Sequence, residues 1–278
     1  MLDLKPITHH NSMIPEHILN RKGARSFKDL DQEVIDYLNQ GLIETANLME
    51  WLAVDQLKLL KLILEELDKP QWYDSFYEVV SNQKKPSANA NAKVIGMTFS
   101  QLTNDGKIID YLSNHTSDIP RCWAAQYYSA IEMSITERLH TIKPFAADPH
   151  FGVREVAIFA TKEYIIQDLD PAIMILSNWT KDDDENIRRY AVETTRPIGV
   201  WTKKIDDLKE SPEKAIDILE PLKSDTSKYV KDAVGNWLND ASKTRPDWVG
   251  NICNQWKKES SNKDTAYIIK KALRTINK

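Results

Sequence analysis

The sequence predicts an all-α protein, a solenoid of stacked antiparallel helix pairs. Glycine is scarce, with 8 residues in 278, and apolar residues recur at helical spacing along most of the chain. A pattern of paired helices also repeats in the C-terminal half. With 41% hydrophobic and 28% charged residues, the chain has the composition of an ordinary globular protein. Fibrous and intrinsically disordered classes are therefore excluded.

The N-terminal part contains several predicted helices that do not repeat. Apolar spacing predicts two or three helices between Asp31 and Leu67, and one more in "QWYDSFYEVVSN". The stretch "QKKPSANANAK" that follows is rich in small polar residues and predicts a loop. We expect an N-terminal helical region over residues 1–92 and a repeat region over residues 93–278, joined as one continuous solenoid.

The repeat is visible in "DPHFGVREVAIFA", "DDENIRRYAVET" and "SDTSKYVKDAVGNW". Each copy has acidic or hydroxyl residues at a helix start, then an apolar residue, a cation and a small or apolar residue. The leading apolar residues Val153, Ile187 and Val230, with Ile268 in a weaker fourth copy, are 34, 43 and 38 residues apart. A second amphipathic helix fits in each interval, in "LDPAIMILSNW", "PEKAIDILEPL" and "PDWVGNICNQW". One helix pair per such interval is typical of HEAT-like repeats, which curve into a superhelix.

Several classes of site have no support in the sequence. The two cysteines, Cys122 and Cys253, are far apart and lie among apolar residues, so neither a disulfide nor a thiolate metal site is expected. No histidine spacing typical of a metal site occurs. We therefore predict no metal and no cofactor. No apolar run is long enough to span a bilayer, and we expect a cytoplasmic location.

The cations of the repeats predict a basic stripe along one face of the solenoid. Arg154, Arg188 and Lys231 occupy the same position in successive copies. From Phe151 to Lys278 the chain has 22 Lys and Arg against 21 Asp and Glu, whereas the preceding residues have 15 against 20. A formal net charge of −4 argues against nucleic acid, but a one-sided distribution of cations can overcome it. Single lysines on these helices are equally well explained as solvated surface residues.

Three acids occupy stepped positions on the repeat helices. Glu155, Glu193 and Asp240 lie two, six and ten residues after the leading apolar residue of their copies, so each step is about one helical turn. Such steps can bring the carboxylates together on a curved solenoid. A purely structural interpretation remains open: Asp240 would bond a nearby backbone group, and Glu155 would pair with Arg188 or Arg189.

Glu193 has a further peculiarity, because it stands in the last turn of its predicted helix. Helix C-termini carry partial negative charge, so a carboxylate there requires a cation nearby. Arg196 follows three residues later, after the turn begins. We expect Arg196 to supply that cation.

The motifs "VREVAI", "NWTKDDDENIRRYAVETTRPIGVW" and "NWLNDASK" resemble the DNA alkylation repair glycosylase superfamily, and within it the AlkC-like branch. The resemblance begins near Val153 and hardly extends to the first hundred residues. It implies an enzyme, a HEAT-like DNA glycosylase that removes cationic N-alkylated bases, above all N3-methyladenine, in base excision repair. The acids of that branch match Glu155, Glu193 and Asp240, which the resemblance implies as the catalytic residues. Ile198 departs from the branch, which has a second arginine there, so one phosphate contact is expected to be missing.

Carboxylates alone suffice for this chemistry. Methylation at N3 makes the base cationic, so the base leaves as a neutral molecule without a general acid. The developing sugar cation is then stabilised by one carboxylate, while another orients the attacking water. We assign these two roles to Asp240 and Glu193, and expect Glu155 to hold the geometry or contact the base.

The expected partner is double-stranded DNA containing alkylated bases, bound by a monomer that is nucleoid-associated during repair in a bacterial-type cytoplasm. For Trp201 and Trp237, packing within the protein is as good an interpretation as contact with DNA. A non-catalytic HEAT-repeat module that binds nucleic acid or protein is the alternative function. The candidate DNA-binding residues are Arg154, Arg188, Arg189, Arg196, Trp201, Lys203, Lys231, Trp237, Lys270 and Lys271.

Overall fold

All regular secondary structure in the described chain is helical. The computed structural model describes residues 14–277, so the first 13 residues of the predicted N-terminal region lie outside the described range. Within that range there are helices and no strand. The prediction of an all-α fold is confirmed. The described residues form two compact units, one of residues 14–131 with 150–156 and the other of residues 132–149 with 157–277.

The first unit contains eight complete α-helices in its described residues. Most begin at a side-chain cap, in which an Asp, Asn or Ser oxygen accepts a hydrogen bond from a free amide of the first turn. The capping residues therefore mark the helix starts in the sequence. The helices are α1 (Glu16–Leu19), α2 (Gln32–Asn39), α3 (Leu48–Ala53), α4 (Gln56–Glu66), α5 (Tyr73–Ser81), α6 (Ala88–Leu102), α7 (Gly106–Ser113) and α8 (Asp118–Ala130).

The predicted loop at residues 83–93 is shorter than expected. Only residues 83–87 are irregular, because Ser87 caps α6 by accepting a hydrogen bond from the amide of Ala90. The small polar residues that suggested a loop alternate with alanines of high helix propensity, and Ala92 is completely buried. The predicted division at residues 92 and 93 thus falls inside α6. As a domain boundary it stays a prediction.

Small residues in α6 allow α8 to approach closely. A Cβ atom on Gly96 would lie 2.5 Å from both the carbonyl oxygen of Trp123 and the Cβ of Gln126. No side chain fits such a space without moving backbone. Glycine is therefore required here by the α6–α8 contact.

The second unit contains the repeats. Between them, the segment "PEKAIDILEPL" was predicted as one helix and instead consists of two short 3₁₀ segments that flank α14. Pro221 lies in the second 3₁₀ segment and has no amide hydrogen with which α14 could continue. None of the described helices is long and apolar enough to cross a membrane. The helices are α9 (Ile135–Ala146), α10 (Phe151–Gln167, with its first six residues in the first unit), α11 (Leu169–Trp179), α12 (Glu185–Thr194), α13 (Asp206–Glu210), α14 (Ile216–Leu219), α15 (Lys228–Ala241), α16 (Pro246–Glu259) and α17 (Lys263–Ala272).

Successive repeat helices are neighbours in space. Helix α12 packs against α9, α11 and α15, and α15 packs against α12, α16 and α17. The leading residues Ile187, Val230 and Ile268 are buried, as are Ala191 and Ala272 at the small positions. Small residues at these positions let the helices approach one another. The predicted stacking of helix pairs is confirmed in this unit.

Candidate active site

The end of helix α12 carries the candidate site. The helix begins at Asp184, whose side chain accepts a hydrogen bond from the amide of Asn186. Its apolar face, with Ile187 and Tyr190, is buried, and the helix ends at Thr194. Glu193 thus stands in the last turn, as the sequence predicted.

The turn after α12 is fixed by two side chains. Thr195 is completely buried, and its hydroxyl reaches the carbonyl oxygens of Ala191 and Val192 at 3.0 Å each. The indole N–H of Trp237 donates to the carbonyl of Thr195 at 3.0 Å. These bonds satisfy carbonyl groups that a helix end leaves without partners. The main chain that leads into Arg196 is therefore held from both sides.

Arg196 joins two of the three predicted acids. Its Nε and Nη2 donate to Oδ2 of Asp240 at 2.9 and 2.6 Å, and its Nη1 donates to Oε2 of Glu193 at 3.2 Å. Both carboxylates thus contact one guanidinium group. The expectation that Arg196 compensates Glu193 at the helix end is confirmed. Burial by itself would lower the pKa of Arg196, but Glu193 and Asp240 outweigh burial and hold the pKa above its usual value.

Asp240 is the most buried of the acids in this unit. Its side chain is 3% exposed, against 13% for Glu193. Besides Arg196, the ammonium group of Lys243 donates to Asp240 Oδ1 at 2.9 Å. A buried carboxylate requires such partners, because removing a charge from water is costly. Asp240 is thus held in one orientation by two cations.

Sequence reasoning missed Lys162, which lies directly behind this site. Lys162 is buried in α10, and its ammonium group donates to the carbonyls of Thr194 at 2.8 Å and Arg196 at 3.1 Å. Burial, with the nearby Arg196 cation, lowers the pKa of Lys162 from 10.5 to about 7, although Glu193 and Asp240 oppose this shift. The sequence signal for the burial of Lys162 was its spacing. Lys162 follows Ile158 by four residues and precedes Ile165 by three, which places it on the same helix face as these buried residues.

The third predicted acid, Glu155, belongs to the first unit. It lies half-buried in the first turns of α10, next to Arg154. The preceding His150 accepts a hydrogen bond from the amide of Gly152 at its Nδ1, and its Nε2 lies 2.7 Å from the carbonyl of Thr45. These contacts fix the start of α10. The grouping of Glu155 with the other acids stays a prediction.

Several predicted DNA contacts are held in pairs within the second unit. Arg188 donates to Asp225 at 2.7 Å and to two main-chain carbonyls, and its hydrogen bond to Asp225 raises its pKa. Lys231 contacts Asp264, and Lys271 contacts Asp232, each at 2.5 Å. The two lysine pairs link α15 to α17, and the arginine pair links α12 to the loop before α15. All three pairs offset the positive charge of the predicted stripe.

Of the other predicted cations, Arg189 is half-buried, whereas Lys203 and Lys270 are exposed. Arg189 lies over the ring of Tyr229, with 4.2 Å between its guanidinium carbon and the ring centre. Lys203 forms an exposed pair with Glu163 at 2.8 Å, and Lys270 is exposed. Their contact with DNA stays a prediction.

Two of the predicted DNA contacts require correction. Trp237 is completely buried, so its ring cannot face DNA and instead supports the turn at Thr195. Arg196 was expected to hold a phosphate, but it is 9% exposed and its nitrogens bond the two carboxylates. Trp201 differs from both, because it is 82% exposed in the segment after the turn.

The sequence of this region matches a known family. Residues 155–276, which include Glu193, Arg196 and Asp240, match the family described as DNA alkylation repair enzyme. This region is thus similar in sequence to DNA alkylation repair enzymes. Protein YhaZ of Bacillus subtilis (strain 168) is 38% identical over 120 residues, which are 43% of this chain and 33% of YhaZ. The matched segment thus spans about a third of that relative.

Solved structures of the superfamily have a similar fold. The alkylpurine DNA glycosylase AlkC of Pseudomonas fluorescens, solved with DNA containing an abasic site analog, matches with a TM-score of 0.66 and 19% identity. That match covers 92% of this chain and 66% of AlkC, just under two thirds. AlkD2 of Streptococcus mutans matches with a TM-score of 0.57 and 25% identity, over 73% of this chain and 97% of AlkD2. At 19% identity, the likeness to AlkC shows the fold alone.

Proposed function

We propose that the protein is a DNA glycosylase of the AlkC-like branch, which hydrolyses the N-glycosidic bond of cationic alkylated bases such as N3-methyladenine in double-stranded DNA. One observation carries the proposal: Glu193 and Asp240 contact the same guanidinium group, within a region that matches the DNA alkylation repair enzyme family. The structural relative AlkC is described as an alkylpurine DNA glycosylase bound to DNA.

The chemistry requires anions at defined positions and little else. A base that carries a positive charge leaves as a neutral molecule, and the barrier lies in the oxocarbenium character of the deoxyribose. Preorganised carboxylates lower this barrier because they need not reorient as the sugar cation forms. Arg196 serves this purpose by fixing both acids from one side.

The two acids differ in access to water, and the proposed roles follow that difference. Asp240 is almost fully buried and bonded by two cations, which suits electrostatic stabilisation from a fixed position. Glu193 is more exposed and makes the longer bond to Arg196, which suits orientation of the attacking water. We retain Glu155 as the proposed third acid, which holds the geometry or contacts the cationic base.

DNA is proposed to be held by residues that reach the surface. Trp201 offers an exposed ring to the sugar or to an exposed base step, since aromatic faces attract cationic groups. Lys203 and Lys270 are exposed cations suited to phosphate contacts. The protein is proposed to act as a monomer.

A non-catalytic binding module is the second candidate. It is favoured by the pairing of Arg188, Lys231 and Lys271 with acids of their own unit, an arrangement that scaffolds also use. A scaffold has no need for two carboxylates on one buried arginine. The two functions therefore differ in what Glu193 and Asp240 do.

The decisive experiment measures release of free N3-methyladenine from methylated DNA by wild type and by Glu193→Gln. Glu163→Gln is the matched control, because Glu163 is an exposed acid of the same unit that pairs with Lys203. We expect release by wild type and the control, and loss of release in Glu193→Gln. If wild type binds methylated DNA but releases no base, the scaffold replaces the glycosylase.

A further inference from the structure

Lys162 has an unusual position for a lysine. It is 2% exposed, and no other lysine of residues 14–277 is buried. Its ammonium group has no carboxylate partner in the described chain and donates only to two main-chain carbonyls. Burying an ammonium group that bonds no carboxylate directly is costly, even with Glu193 and Asp240 nearby. A residue kept in such a position has a role that offsets this cost.

The two carbonyls that Lys162 contacts define the turn of the site. Thr194 is the last residue of α12, and Arg196 is the residue whose side chain joins the two acids. Lysine groups near a helix C-terminus can bond its free carbonyls and act favourably on the helix dipole. Lys162 thus holds the main chain on both sides of Thr195. The carbonyl of Thr195 itself accepts a hydrogen bond from Trp237.

We propose that Lys162 is a positioning residue, which fixes the main chain at Thr194 and Arg196 and thereby directs the Arg196 guanidinium onto Glu193 and Asp240. The effect on catalysis rests on the proposed glycosylase function. The effect on Arg196 does not, since it concerns the protein without DNA.

The same position gives the site a charge that changes near neutral pH. The pKa of Lys162 is lowered to about 7, and its amine keeps N–H donors for both carbonyls in either protonation state. The charged groups facing it are Glu193 from α12, Arg196 from the turn and Asp240 from α15, with Lys243 bonded to Asp240. Protonation therefore adds a positive charge beside the two acids without breaking the turn.

This charge works against the proposed reaction. A cation near Glu193 and Asp240 disfavours the sugar cation that these acids stabilise. The base-release rate of wild type should therefore rise with pH through about 7. The rate of a Lys162→Met variant should lack this rise, because methionine does not titrate.

The first test examines Arg196 in the protein without DNA. The variant is Lys162→Met, and the readout is the Nε–Hε NMR signal of Arg196, which reports its bond to Asp240. Thr161→Val is the matched control, since Thr161 is a buried neighbour on α10 that contacts the Tyr190 hydroxyl instead of the turn. We expect the signal to shift or broaden in Lys162→Met and to stay in Thr161→Val. An unchanged signal in Lys162→Met overturns the proposal.

A measurement on wild type covers the case in which Lys162→Met does not fold. Titration of the same Arg196 signal between pH 5 and 9 should show a midpoint at the Lys162 pKa of about 7. Lys162→Gln, which retains N–H donors but does not titrate, should lack this midpoint. A wild-type signal that does not move over this range means that Lys162 does not titrate there, and the Arg196 signal of Lys162→Gln then decides: a signal at its wild-type position overturns the proposal.

The second test measures base release in single-turnover reactions. We expect Lys162→Met to lower the rate about 100-fold, the effect of a misplacement near 1 Å, without changing DNA affinity. In an Arg196→Met background the same change should cost nothing further, because Lys162 acts through Arg196. An equal loss in Thr161→Val, or additive losses in the double variant, would contradict the proposal. A wild type without activity refutes the glycosylase and leaves the NMR test to decide on Lys162.

Discussion

The indole N–H of Trp237 in α15 donates a hydrogen bond to the main-chain carbonyl of Thr195, across 3.0 Å. The bond connects two repeat helices at the turn that carries Arg196. Trp237→Phe should lower the free energy of unfolding by about 1–3 kcal/mol, because the buried carbonyl loses its donor. It should also lower base release, since the turn beneath Arg196 is loosened. Urea unfolding and the release assay check the two effects.

Trp256→Phe is the matched control for this variant. Trp256 is equally buried, and its indole N–H donates to Glu220 at 2.5 Å, on other elements of the same unit. The control should lose stability and keep base release. Equal loss of release in both variants would mean that stability alone governs the activity.

Asp240→Asn removes one charge and keeps the shape of the side chain. We expect base release to be abolished while DNA binding is retained or tightened. Stability should fall by about 3–5 kcal/mol, because Arg196 remains buried with one carboxylate fewer. Asp232→Asn, on the same helix and paired with Lys228 and Lys271, should cost at most about 1 kcal/mol and keep activity. Normal release by Asp240→Asn would remove Asp240 from the mechanism.

Arg196 and Lys203 should differ in their effect on DNA binding. Each Lys or Arg that contacts a phosphate adds about 0.9 to the slope of log affinity against log salt concentration. Arg196→Met should leave the slope unchanged, because the guanidinium bonds carboxylates. Lys203→Met removes the same charge from an exposed position and should reduce the slope. Binding titrations at several salt concentrations test this, and a reduced slope in Arg196→Met would restore its predicted phosphate contact.

Stability should depend on pH through Lys162. Its pKa is about 7 in the folded protein and near 10.5 in the unfolded chain, so between these values only the unfolded state binds the proton. The free energy of unfolding should therefore rise with pH in this window, by up to about 1.4 kcal/mol per pH unit. Urea unfolding of wild type and Lys162→Met from pH 6 to 9 isolates this contribution as their difference. A difference that stays constant would mean that Lys162 titrates normally.

Most of the fold followed from local patterns. Apolar spacing predicted the helices between Asp31 and Asn82. Acidic or hydroxyl residues marked the starts of the repeat helices, because a helix start depends on side chains next to it in sequence. Two segments were predicted wrongly, because helix capping and a proline decide their structure. The alanines near residue 90 form a helix because Ser87 caps it. Pro221, near the end of "PEKAIDILEPL", prevents α14 from continuing, although apolar spacing alone favoured one helix.

The candidate site was only partly accessible from the sequence. The spacing and the motif match predicted that Glu193 and Asp240 belong together, and Arg196 was expected beside Glu193. The prediction that the Arg196 guanidinium contacts a phosphate was wrong, because burial decides whether an arginine bonds a phosphate or a protein carboxylate. Burial likewise separates Trp237 from Trp201, and it makes Lys162 part of the site. Such burial arises from contacts between distant repeats, which no local pattern encodes.

The exposure of Trp201 allows binding near this residue to be measured by intrinsic tryptophan fluorescence. The described range includes all eight tryptophans, and Trp201 is 82% exposed whereas the other seven are buried or half-buried. Iodide stays outside protein interiors, so its quenching of the intrinsic fluorescence reports mainly on this one ring. Anything that covers the segment after Arg196 will shield the ring and reduce quenching. Occupation of this surface can therefore be followed in real time, without a label and without any chemical turnover.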